Sequence, residues 1–189
     1  MRGGRWGVGK RRLRSCPPGV LRVGVATGAK PTDHRRRESH VAVVVTAIID
    51  NVWHYARTEG ERTALVRAVV DEPHPAGPSL LYVWDRPAAQ GAGHEAWPEW
   101  QLRVSTVPDQ GVGALNWAGD SPDGDLGPWD TYNPGADLGG SALLFDESAP
   151  LFFPLSATLA LQDVRRAVTE HLRTGRRPEC VQWQPGDWY

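Results

Sequence analysis

The run from Ala160 to Gln184 restricts the architecture more than any other stretch, because it reads as a helix, a stop and a returning strand. Leu161, Val164, Val168 and Leu172 recur at spacings of three and four, so they share one face of a helix about four turns long. Arg165, Arg166, Thr169 and Arg173 fall mostly on the opposite face. Ser156 and Thr158 are both candidate N-caps, since a hydroxyl can accept from the free amides of a first turn. Gly175 stands where a left-handed residue ends a helix, and Pro178 follows where helix cannot resume. Arg176 and Arg177 then sit at a helix C-terminus, where the backbone dipole favours positive charge. Val181 and Trp183 alternate with Gln182 and Gln184, the pattern of a short strand with one buried face. A helix with a single apolar stripe needs a cover, so this segment predicts a helix packed on a sheet, with Trp183 inside.

The remainder of the body supplies the sheet. Val41 to Ile49 is a β-branched run suited to a buried strand. Glu61 to Val70 places Leu65, Val66, Val69 and Val70 at helical spacing after Gly60, and Pro73 and Pro75 stop it. Leu80–Trp84 reads as a strand, followed by a Gly/Pro/Ala-rich loop from Pro87 to Pro98. Trp100 to Val107 alternates apolar and polar residues, as a half-buried antiparallel strand does. Val112–Trp117 pairs with it across the turn Pro108–Gly111, and Ala142–Phe145 is a further strand. Runs of strands flanked by helices predict an α+β fold, a mostly antiparallel sheet with two main helices packed on it.

Charge divides the chain. Residues 1–39 carry eleven Lys/Arg against Asp33 and Glu38, a net +9, whereas residues 40–189 carry ten basic and twenty acidic side chains, a net −10. We therefore expect a basic, disordered leader over residues 1–39 and a single domain over 40–189. Val20–Ala26 is short and broken by Arg22, so it does not fit the apolar core of a signal peptide, and no such core precedes Cys16 for a lipoprotein anchor. A solvated tail, a nucleic-acid-binding arm and a start called too far upstream, with the native chain beginning near Val41, all fit the leader; the last is favoured. No apolar run approaches the roughly 18 residues of a membrane span. Cys16 and Cys180 suggest no disulfide framework, which fits a reducing, cytoplasmic home.

Motifs for chemistry are missing. The six histidines show no HExxH spacing and no pairing with cysteine. There is no GxSxG elbow and no phosphate loop. Asp120–Asp125 lacks the alternating oxygen ligands and closing glutamate of a calcium loop. Glu95 and Glu99 could act as carboxylates, but any acidic protein offers such a pair. The sequence predicts no catalytic residue, cofactor or metal site.

Several pieces taken in order resemble the Imm1 family of bacterial immunity proteins. They are Gly113-Ala114-Leu115-Asn116-Trp117, Trp129 with Tyr132-Asn133-Pro134, Leu144-Phe145 and Phe153-Pro154. The helix around Val164–Val168, then Thr174–Pro178 and Cys180–Gln184, complete the series. The likeness spans roughly residues 40–185 and is most specific from Phe153 onward; the leader and the loop 87–98 depart from it. The resemblance implies a non-enzymatic antidote that binds the toxin domain of a polymorphic toxin in the producing cell's cytoplasm. It further implies a toxin of the nucleic-acid-deaminase type, similar to the SCP1.201-like group, in which zinc-activated water attacks a base. The zinc would belong to that partner, and the chain itself would touch neither nucleic acid nor membrane.

The charge pattern suits such a partner. An enzyme acting on nucleic acid presents a basic cleft, and a body of opposite sign speeds encounter. Asp120, Asp123, Asp125, Asp130 and Asp137 cluster in a Gly/Pro-rich stretch flanked by Trp117, Trp129 and Tyr132. The expected toxin-facing segment is therefore 117–137, with Trp117, Asp120, Asp123, Asp125, Trp129, Asp130 and Tyr132 as its contacts and the aromatics as anchors. The bland alternative is an acidic solvated loop with Trp117 and Trp129 in the core. Two other functions compete: an acidic binding module for another nucleic-acid enzyme or for a carbohydrate, and a small hydrolase with a site assembled from several segments.

Overall fold

A computed structural model describes residues 43–89, 97–119, 127–136, 140 and 142–187, all within the unit Ser39–Tyr189. The leader over 1–39, Asp120, Asp123, Asp125 and Asp137, and the middle of the 87–98 loop lie outside the described residues.

The sheet is assembled largely from hairpins. Strands β1 (Val44–Ile49) and β2 (Val52–Ala56) are joined by Asp50 and Asn51. Both turn residues have positive φ, 47° and 63°, the left-handed conformation that a two-residue hairpin turn demands and that Asp and Asn tolerate. Helix α1 (Glu59–Asp71) follows. Strands β3 (Ser79–Trp84), β4 (Trp100–Val107) and β5 (Val112–Gly119) then form a meander with β1. After β6 (Trp129–Tyr132) come the small hairpin β7 (Leu144–Asp146) and β8 (Leu151–Phe152), the short β9 (Leu159–Ala160), helix α2 (Leu161–Thr174) and β10 (Gln182–Pro185). The main sheet runs β10-β6-β5-β4-β3-β1-β2, with β9 on β5 beyond the end of β6. Every pairing among the described strands is antiparallel. The fold is α+β with two helices, as the sequence pattern predicts.

Both helices lie on one face. Val45, Ala47, Ile49, Leu81, Val83, Leu102, Val104, Leu115 and Trp117 meet Leu65, Val66, Val69 and Val70 of α1 and Val164, Ala167, Val168 and Leu172 of α2 in one core. Each aliphatic side chain buried there contributes about 2 kcal/mol. Helix α1 begins two residues earlier than its apolar period suggests. Thr58 caps it, and Glu61 reaches back to the amides of Arg57 and Thr58 in a capping box, so Gly60 lies inside the helix.

Helix α2 departs from expectation at its start and matches it at its end. Neither Ser156 nor Thr158 caps it. The N-cap is Ala160, without a side-chain bond, because Leu159 and Ala160 are first drawn into pairing with Gly113 and Val112. The Leu161 amide then donates to the Gly111 carbonyl at 2.8 Å, so tertiary pairing replaces the local cap. At the other end Gly175 is left-handed, with φ +68°, and its amide donates to the His171 carbonyl. Trp183 is half-buried against the core and donates its indole N–H to the Pro178 carbonyl at 2.7 Å.

Candidate partner interface

Strand parity decides which residues of the 117–137 segment share a surface. In β5 and β6, Trp117 lies opposite Trp129 and Asn116 opposite Asp130. Side chains opposite one another share a face and neighbours in sequence do not. Trp117 and Trp129 therefore face the helices, while Asp130 and Tyr132 face the other way. Trp117 is wholly buried against His171 and presents no surface to a partner, so the anchor expected of it is instead part of the core. Trp129 is half-buried, with the Arg177 guanidinium 4.8 Å from its ring centre. Asp130 is buried, and Tyr132 is exposed at the end of β6.

The helix-free face is covered only in part. At one end, Leu143, Phe145, Phe153 and Ala157 form a second, smaller core over Ala114. Near the opposite edge, Trp97 packs against Trp53 and edge-on to Tyr82, and the buried Ala88 takes a hydrogen bond from Tyr55. A polar band crosses the centre. Tyr82 donates to Gln101 at 2.8 Å, and Asn116 donates to the Asp130 carboxylate at 2.8 Å. Arg103 donates to the Phe145 carbonyl, stacks 4.2 Å from that ring centre and lies 3.8 Å from Asp146.

Burial governs the electrostatics of this band. It holds the Asp130 carboxyl above the ordinary range; the Asn116 hydrogen bond offsets part of that rise, and Asp187 adds to it. It pulls Arg103 downward, against the opposing pull of Asp146, and pushes the Tyr82 phenol up to about 12. Gly186 passes so close that a Cβ there would stand 3.2 Å from the Asp130 carboxyl. These groups are tightly packed, and the buried Asp130 accepts from Asn116 and lies against Gly186, which makes it a support beneath the surface.

Charge is sorted between the helix segments and the rest of the body. The helix-layer segments 57–72 and 161–179 hold eight arginines and seven carboxylates. Everything else in residues 40–189 holds two arginines, Arg86 and Arg103, against thirteen carboxylates. The acidic excess thus belongs to the strands and their connections. The exposed aromatics are also largely there: Tyr55 and Tyr132 on strands and Phe152 on the small hairpin. Tyr55 escaped the sequence reading because β2 did. The available signal was Asp50-Asn51 followed by the alternating Val-Trp-His-Tyr-Ala.

Among the described residues no group of three or more His, Cys, Asp or Glu stands together as a metal site would require, and no helix is long and apolar enough to cross a membrane. Cys180 is a free, exposed thiol. No curated protein matches the chain. A protein family described as immunity protein Imm1 matches residues 51–185, from the β1–β2 turn to the last residue of β10.

Proposed function

This chain belongs to the Imm1 family of immunity proteins, and on that premise we propose that it binds a cognate toxin domain and silences it by occlusion, without catalysis of its own. The observation that carries the reading beyond the family is the charge sorting: outside the helix layer, thirteen carboxylates face two arginines. A toxin acting on nucleic acid needs a basic cleft to hold phosphates, and an acidic surface complements it and raises the encounter rate. The partner we infer is a nucleic-acid deaminase domain met in the cytoplasm of the producing cell.

The docking surface in this proposal is the helix-free side of the sheet. Tyr132 and Tyr55 supply exposed aromatic surface there, the kind that dominates interface energetics. Asp120, Asp123 and Asp125 belong to the proposal on charge alone, and Asp130 supports the strand beneath. No observation favours a carbohydrate platform. None of the seven described tryptophans is exposed, and Trp53 and Trp97 meet at 59° instead of lying coplanar.

Two measurements test this. Co-expression with the toxin encoded beside the gene should rescue growth, and lack of rescue refutes the antidote role. Replacing Asp120, Asp123 and Asp125 with Ser should weaken toxin affinity and flatten its salt dependence; unchanged values would remove the acidic segment from the interface.

A further inference from the structure

The helix layer carries a surface of the opposite character. A groove of about 360 Å³ runs between α1 and α2. Arg165, early in α2, pairs with Asp71 at the end of α1, while Arg173, late in α2, lines the same groove as Glu59 and Arg62 from the start of α1. The helices are therefore antiparallel, and the groove follows α1 from Glu59 to Asp71, about 18 Å at 1.5 Å per residue. Its floor is apolar, formed by the buried Val66 and Leu172. Each end of its rim carries two arginines and one carboxylate, Arg62 and Arg173 with Glu59 at one and Arg67 and Arg165 with Asp71 at the other, so both ends are net positive. Only Arg165 is neutralised by an ion pair among the described residues; Arg62 donates to the Val43 and Arg57 carbonyls, and Arg67 and Arg173 are exposed.

We propose that this groove is a docking site for an acidic amphipathic helix of a partner protein. The occupant must bring apolar side chains to the centre and carboxylates to both ends. A helix laid between two antiparallel helices does so through residues spaced at three and four. Single-stranded nucleic acid fits less well, because the floor offers no exposed aromatic on which a base could stack. The basic cleft of a nucleic-acid enzyme is excluded by like charge. The groove lies in the helix layer, on the face opposite the surface proposed for the toxin, and its existence does not depend on that proposal.

The probe is a fluorescein-labelled peptide of about 14 residues, with leucines at i, i+3, i+4 and i+7 and glutamate and alanine elsewhere, followed by fluorescence anisotropy on the full chain. Binding should be saturable and weaken with salt. Arg67→Glu combined with Arg173→Glu should weaken it at least about tenfold, as should glutamine in place of the peptide's glutamates. Arg86→Glu, at a residue that does not line the groove, should leave it unchanged. The gentler pair Arg67→Gln and Arg173→Gln should weaken it in the same direction and covers any loss of folding in the double reversal. No peptide binding, equal binding by the folded variants, or displacement of the peptide by an oligothymidylate would each overturn the proposal.

Discussion

His171 makes the stability of this protein depend on pH in a calculable way. The imidazole lies fully buried on α2, edge-on to Trp117 at 5.5 Å between ring centres. Its Nδ1 is 2.9 Å from the Arg176 carbonyl, so Nδ1 carries the proton and donates, and Nε2 is left with no partner. Burial drives its pKa from 6.5 down to about 4, opposed by the bond to Arg176. The unfolded chain therefore binds a proton near pH 6.5 that the folded chain refuses until about pH 4. Stability is complete above the upper value and falls as pH drops through this window, at about 1.4 kcal/mol per pH unit. Between pH 7 and pH 5 the loss from this one group is about 2 kcal/mol. The comparison is with His171→Asn, whose side-chain amide can keep the bond to Arg176 without titrating. The variant will be less stable at pH 7, because a smaller side chain leaves a cavity. The decisive quantity is the difference in slope. Urea unfolding followed by tryptophan fluorescence at pH 7, 6 and 5 should show the wild type losing about 2 kcal/mol more than the variant. Parallel slopes would refute the assignment and move the sensitivity to the carboxylates.

Two further outcomes follow from local geometry. Gly175→Ala puts a Cβ into a left-handed residue and 3.2 Å from Val83, so it should cost about 1–2 kcal/mol in urea unfolding; an unchanged midpoint would show that the helix end can rearrange. Asp130→Asn removes a charge that burial disfavours while keeping the oxygen that accepts from Asn116. Because the folded pKa is raised, the carboxylate costs stability above its unfolded value and the cost fades as pH falls. The variant should therefore match or exceed the wild type at pH 7, and a clear loss would show that Arg103 needs the charge.

Elements whose partners lie nearby in sequence were legible. The strand at Trp100–Val107, the turn 108–111 and its returning strand have the predicted positions, because alternation and turn chemistry are local properties. The same holds for the α2 stripe and its Gly175 stop. What the sequence concealed was set at long range. Strand β6 hides in a Gly/Pro-rich stretch and becomes a strand because β5 and β10 flank it. The start of α2 is fixed by pairing with β5, which outweighs two hydroxyl residues available as caps. The site reading failed at Trp117 for a related reason. A cluster of acidic and aromatic residues in sequence became two faces once alternation was imposed, and only Tyr132 among the described members is well exposed.

The place of β10 bears on how the chain is made. Gln182–Pro185 forms the outer strand beyond β6, so β6 acquires its second neighbour from a strand that follows helix α2. Until that strand leaves the ribosome, β6 offers an unpaired row of amides and carbonyls beside an unfinished core, a state open to mispairing. A truncation ending before Gln182 would freeze that state. Such a chain should be prone to aggregation even though it keeps both helices and most of the sheet.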